Sequence, residues 1–129
     1  MAKEQASLYE RLGGIYAVAA VIDDFIDRIM ADPILNANPH IKEAHERITP
    51  AGFKYLVTEF SCMAMGGPQQ YTGRSMPESH EHLEMTNREW DAFMHALDQS
   101  LYTFDVPEAE QNEIVTLMES LKPDMGLID

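Results

Sequence analysis

Apolar residues recur along this chain at intervals of three and four, and nowhere alternate at two, so the pattern predicts helix almost throughout. Ser7 to Leu12 reads as a short first helix closed by Gly13-Gly14. Ile15 to Ala31 reads as a second, with Val18, Ile22, Phe25, Ile26 and Ile29 on one stripe and Pro33 as its stop. Residues 32–48 carry a weaker pattern, although "NPHIKEAHERI" has room for a short polar helix after Pro39. Thr49-Pro50 has the form of an N-cap followed by a first-turn proline. The helix behind it carries Phe53, Leu56, Val57, Phe60, Met63 and Ala64 and stops at Gly66-Gly67-Pro68. Residues 69–79 predict an ordered loop. Thr86 and Glu89 spell a capping box for a helix with Trp90, Phe93, Met94, Leu97, Leu101 and Phe104 turned inward. A last helix starts near Pro107, with Glu108 and Glu110 in its first turn. It buries Ile114, Val115, Leu117, Met118 and Leu121, and stops at Pro123. The expectation is an all-α fold in one domain, residues 1–129, with no repeat or linker. The long ordered loop is the unusual part, because such loops in small domains tend to shape a site.

Charge narrows the partners. With 22 acidic residues against 9 basic ones, the chain carries a formal net charge of -13 and no basic run. Such a surface repels phosphate backbones and anionic lipid heads, so neither nucleic acid nor membrane is expected as a partner. The start, "MAKEQASLYERLGG", lacks the layout of a secretory signal. The longest apolar run, from Ile15 to Ile22, is far too short for a membrane span. The expected location is the cytoplasm. One cysteine, Cys62, excludes an internal disulfide and a thiolate zinc site, and its apolar neighbours predict an inert core thiol. Nine methionines suit a core packed around an irregular object, though methionine is also ordinary core filler.

The chemistry-bearing residues are few. "SHEHLEM" sets His80 and His82 two positions apart. On a helix that spacing turns the side chains about 200° apart, whereas two helical histidines sharing a metal usually stand four apart. A split reading follows: His80 shares an inward face with Met76 and Leu83 or Met85, while His82, flanked by Glu81 and Glu84, faces solvent. By itself the inward histidine could equally be a hydrogen-bonded structural residue. His40 and His45 lie among Lys, Glu and Arg and read as a solvated face, and His95 as partly exposed. No nucleophile–base pair, phosphate loop or paired carboxylates stand out.

Four stretches, taken in order, resemble the truncated haemoglobins, most closely their first group. They are "SLYERLGG" (7–14), "VIDDFIDRIMADP" (21–33), "AMGGPQQYTGRSM" (64–76) and "MPESHEHLEMT" through Trp90 (76–90). The resemblance covers nearly the whole chain and is weakest over 34–52. It implies a two-over-two helical sandwich around haem b, iron protoporphyrin IX. It makes His80, four residues after Met76, the match to the proximal iron ligand, and leaves His82 without that role. Met76, Met85, Trp90 and Phe93 are then expected to pack on the porphyrin, with Phe25, Ile26, Phe53, Leu56, Val57 and Phe60 completing the pocket.

The chain departs from the family on the distal side. Where the family commonly has tyrosine after the phenylalanine of its second helix, this chain has Ile26. Where it often offers glutamine, this chain has Phe53 and Val57. The segment around "NANPHIKEAHERI" is several residues longer than usual. Bound O2 carries partial negative charge, so a pocket without a donor should release it fast and favour CO relative to O2. His45 and Tyr55 are the candidate distal groups. The resemblance implies binding of diatomic gases (O2, CO, NO) for transport, sensing or NO handling. The alternatives are an NO dioxygenase or weak peroxidase served by a reductase, and a cofactor-free helical interaction module. The sequence does not give the oligomeric state.

Overall fold

The computed structural model describes residues 6–128. The first five residues of the signal-free N-terminal reading lie outside the described residues. The helices in chain order are α1 (Leu8–Leu12), α2 (Ile15–Ala31), α3 (Pro33–Asn36), α4 (Pro39–Arg47), α5 (Pro50–Ala64), α6 (Met76–His80), α7 (Asn87–Thr103) and α8 (Glu108–Leu121). Short 3-10 turns follow α6 (Glu81–Leu83) and α8 (Lys122–Met125). No strand occurs among the described residues.

Capping accounts for most of the boundaries. Ser7 caps α1, and Gly13 closes it at φ 110°, a left-handed turn that favours glycine. Thr49 Oγ1 accepts from Gly52 N at 3.1 Å at the start of α5. Thr86 and Glu89 form the reciprocal capping box of α7. The weakly patterned stretch 32–48 turns out to be two short helices, each opened by a capping residue followed by proline. Asp32 Oδ1 accepts from Ile34 N and Leu35 N, and Asn38 Oδ1 from His40 N and Ile41 N. Proline at the first helical position has no N–H to lose there, so the Asp-Pro and Asn-Pro pairs act as start signals.

Residues 76–80 correct the expected loop. They form α6, with Ser75 Oγ accepting from Glu78 N at 3.3 Å and Pro77 in the first turn. One turn is too short to show a hydrophobic period, so the loop proper is 66–75.

The core gathers around α2, which packs against both α5 and α7. Its stripe Val18, Ile22, Phe25, Ile26 and Ile29 is buried. Asp24 locks α2 to α7: its carboxylate accepts from Arg28 Nε and from the buried Ser100 hydroxyl, both at 2.7 Å. These bonds, that from Arg28 foremost, hold the Asp24 carboxyl below its usual pKa. Arg11 ties α1 to α8 through Glu113 and Glu110. Cys62 is fully buried, and burial pushes its thiol up, as expected of an inert core cysteine. No helix of the described residues is long and apolar enough to cross a membrane.

α5 packs on α2, yet its apolar stripe is only partly covered. In α5 only Cys62 is fully buried, while Phe53, Leu56, Val57 and Phe60 stay half-buried. Their face fronts a cavity.

Candidate cofactor cavity

A cavity of about 1020 Å³ lies between α2, α4, α5, α6, α7 and α8. Its wall is mainly apolar: Val18, Ile22, Phe25, Ile26 and Ile29 from α2, the α5 face, Phe93 and Leu97 from α7, and Leu117 and Met118 from α8. The loop 66–75 and α6 contribute Tyr71, Arg74, Met76, Ser79 and His80. The volume and lining suit a large flat apolar ligand with few polar anchor points.

The loop is fixed to its neighbours. Gly66 has φ 91°, and a Cβ there would meet Ser7 Cβ at 2.9 Å, so Gly66-Gly67 lets the chain pass close to the start of α1. Thr72 donates its N–H and its hydroxyl to Glu59 Oε1 at 2.6 and 2.7 Å. Those bonds lower the Glu59 pKa. Tyr71 stands edge-on to Phe60 at 5.2 Å.

His80 is half-buried at the cavity and His82 is exposed near its rim, which agrees with the split reading of the pair. His80 Nδ1 lies 3.0 Å from Met76 O and 2.8 Å from Ser79 Oγ. A backbone carbonyl can only accept, so Nδ1 carries the proton. Ser79 directs its own hydroxyl at the carbonyls of Ser75 and Met76 and offers its oxygen to that N–H. In the neutral ring Nε2 is therefore a bare lone pair. Burial, foremost, lowers the His80 pKa, the bond to Met76 O opposes this, and nearby His82 lowers it further. A neutral imidazole with a bare Nε2 and an anchored Nδ1–H is the form that binds a metal.

His45 departs from the solvated-face reading. It is half-buried, lines the cavity, and stands 6.2 Å from the Phe53 ring. Its Nδ1 lies 2.9 Å from Asn36 Oδ1, and burial lowers its pKa. Its neighbour His40 follows the surface reading, with Nε2 at 2.8 Å from Glu84 Oε2.

Three expected pocket residues are not brought to the cavity wall. Tyr55 is 62% exposed and donates its hydroxyl to Glu59. It sits two positions from both Phe53 and Val57, so the helix turns it to the far side. Trp90 and Met85 are buried in the core behind the wall. Phe93, one turn on, stacks on Trp90 at 5.5 Å and meets Phe25 edge-on at 5.0 Å, so Phe93 faces the cavity in Trp90's place. Phe25, Ile26, Phe53, Leu56, Val57, Phe60, Met76, His80, Phe93 and His45 all line it.

Other residues were missed. Arg47 and Arg74 border the cavity, cations on a chain of net charge -13. Asn36 and Ser79 orient the two histidines. Asn38, only 9% exposed, donates to Leu83 O at 2.9 Å and to Glu89 Oε1 at 3.0 Å, clamping α4 to the turn after His80. The Asn-Pro pair at 38–39 was a legible sign of the cap, but not of the clamp.

The donor set also tests what the cavity could hold. Among the described residues, no cluster of three or more His, Cys, Asp or Glu could hold a metal ion. A metal at His80 must then bring most of its ligands with it, as iron in a macrocycle does. The apolar walls, one bare imidazole nitrogen and two bordering arginines for carboxylates fit haem.

Comparison with known proteins gives the family and the fold. The family model for bacterial-like globins matches residues 7–126. The chain is similar to the group 1 truncated haemoglobin of Tetrahymena pyriformis, 29% identical over 119 residues that span 92% of this chain and 93% of the relative. It is also similar to the group 1 truncated haemoglobin GlbN of Synechocystis, 31% identical over 107 residues, 80% of this chain and 82% of the relative. The solved Fe(III) form of the Tetrahymena pyriformis protein superposes with a TM-score of 0.78 at 27% identity, covering 96% of this chain and 100% of that one. The chain belongs to the bacterial-like globin family. Its fold is the all-α, two-over-two helical sandwich of the truncated haemoglobins, a family membership that implies haem-based gas binding.

Proposed function

We propose that the chain holds haem b in this cavity with His80 as the iron ligand, and that it binds O2, CO and NO. The observation that carries the reading is the bonding of His80, whose Nδ1–H is held by Met76 O and Ser79 Oγ while Nε2 stays bare beside an apolar cavity. When bound, haem supplies an iron with a coordination position for a small gas ligand. Phe93, Met76 and the α5 face would hold the group by apolar contact, and Arg47 and Arg74 would pair with its carboxylates. Ile26, Phe53, Leu56 and Val57 line the cavity without a hydrogen-bond donor among their side chains, so O2 leaves quickly and CO is favoured relative to O2. That set supports transport, sensing or NO handling over NO dioxygenation, which needs a long-lived O2 complex as well as a reductase. The work is done in the cytoplasm.

The test is the absorption spectrum of the haem-loaded protein, ferric, ferrous and with CO. We expect a strong Soret band and a five-coordinate ferrous form. His80→Ala loses most haem affinity while His82→Ala keeps it. Equal loss in both variants would sink the assignment of His80. A folded, colourless chain that takes up no haem would return it to a cofactor-free helical module.

A further inference from the structure

We infer that Asn36 fixes His45 as a hydrogen-bond acceptor, so that this part of the cavity favours small ligands that arrive with a proton over O2 and CO. The inference rests on the haem reading above for its ligands, and on hydrogen bonds alone for its geometry.

The hydrogen-bond chain starts at a backbone carbonyl. Asn36 Nδ2 lies 2.8 Å from Met30 O. Met30 O can only accept, so the amide nitrogen of Asn36 points there and the amide oxygen points the other way. That oxygen lies 2.9 Å from His45 Nδ1. Oδ1 also only accepts, so Nδ1 must carry the ring proton. A neutral imidazole has one N–H, which leaves His45 Nε2 a lone pair with no protein partner among the described residues. The ring lines the cavity beside Phe53, and burial keeps it neutral by lowering its pKa.

Bound O2 asks for a donor, and this nitrogen offers none. A ligand with its own hydrogen can donate to Nε2. The class is small and protic: water, hydrogen peroxide, hydrogen sulfide and hydrogen cyanide. Hydrogen cyanide is the convenient probe. It binds as cyanide, so its proton must go elsewhere. His45 Nε2 takes that proton, becomes imidazolium, and later releases it to water. His45 then acts as a base toward protic ligands and as a bystander toward O2, and Asn36 is the positioning residue that sets this sign.

The direct test is two-bond 1H–15N NMR on the haem-loaded ferrous CO form, which reads the imidazole tautomer. We expect Nε2 of His45 unprotonated in the wild type, and a detectable Nε2–H population in Asn36→Leu. The kinetic test compares two ligands. In His45→Leu, hydrogen cyanide should bind the ferric protein more slowly by roughly tenfold or more. O2 release from the ferrous protein should change by less than about twofold, since no hydrogen bond to O2 is lost. His45→Gln, which adds an amide donor, should slow O2 release several-fold. If Asn36→Leu does not fold, the wild-type tautomer and the two His45 variants still decide.

Three results would overturn the inference. One is a protonated Nε2 in the wild type. Another is O2 release that speeds up roughly tenfold in His45→Leu, the mark of a lost donor. The third is a six-coordinate low-spin ferrous spectrum, without added ligand, that His45→Leu abolishes, because the lone pair would then be spent on iron. Failure to take up haem at all would overturn the haem reading instead, and is seen separately as a missing Soret band.

Discussion

Two segments bring a histidine to one cavity, and they orient it by the same chemistry at different range. In α6 the acceptors for His80 Nδ1 are Met76 O, one turn back, and the adjacent Ser79 Oγ. Both acceptors lie within the same single turn. In α4 the acceptor for His45 Nδ1 is the side chain of Asn36, nine residues back on another helix and itself held by Met30 O. That arrangement needs the whole path from the end of α2 through α3 and α4 to fold. The comparison teaches that an imidazole held within its own turn depends on little else in the fold. The second imidazole depends on tertiary structure, and is where the chain can vary what its cavity prefers.

Cutting the tie between the two segments should have the largest effect. Asn38 caps α4 with its oxygen and clamps the turn after His80 with its nitrogen. Asn38→Ala removes the cap and strands the buried Leu83 carbonyl, a loss of about 2–4 kcal/mol from the usual cost of each. Urea unfolding would measure it. If His80 is oriented locally, the ferrous spectrum of the variant stays that of the wild type. A changed iron spectrum at intact fold would mean that the two segments work as one unit.

The same difference in range decides what could be read from the sequence. The long helices were legible because burial repeats at helical spacing, and the boundaries of α5 and α7 because Thr49-Pro50 and Thr86/Glu89 are cap signals. His80 was legible as inward from its neighbours, and the family resemblance supplied its expected role. His45 read as solvated because its sequence neighbours are charged, whereas its burial comes from Phe53 on another helix. The α7 stripe placed Trp90 inward, and the family resemblance placed it on the porphyrin; which residue of a stripe meets a cavity depends on the packing partner, and here Phe93 takes that place. Arg47 and Arg74 carry no local signal in the sequence, and only the fold brings both to the cavity border.

The apolar side of the cavity can be sharpened by adding what it lacks. Val57 lines the wall and is half-buried, at a position where the resemblance expected glutamine. Val57→Gln should supply a donor and slow O2 release by roughly tenfold, the worth of one hydrogen bond of about 1.4 kcal/mol. Stopped-flow O2 release would show it. No change would mean that the side chain does not reach the gas.

Acid should separate the segments more gently. Burial holds the His45 pKa below the ordinary histidine value of about 6.5, so the folded chain takes up a proton there less readily than the unfolded one. The stability tied to this is fully present above about pH 6.5, and is lost as pH falls below it, because the unfolded state then binds the extra proton. His45→Leu should therefore flatten the fall in melting temperature between pH 7.5 and 5.5. An unchanged slope would mean that His45 is not held neutral in the folded protein.

The smallest effect should come from Tyr55, and its smallness is informative. Its hydroxyl donates to Glu59 Oε2 at 3.2 Å on the outer side of α5, and the ring is 62% exposed. Glu59 keeps its two bonds from Thr72 without it, so the loop stays anchored. Tyr55→Phe should leave O2 release, the CO spectrum and cyanide binding as in the wild type. An acceleration of O2 release would mean that the phenol swings around α5 into the cavity when ligand is bound. That would place a donor where this structure has only Phe53, Leu56 and Val57, and the contrast between a donor-poor cavity and an acceptor His45 would have to be redrawn.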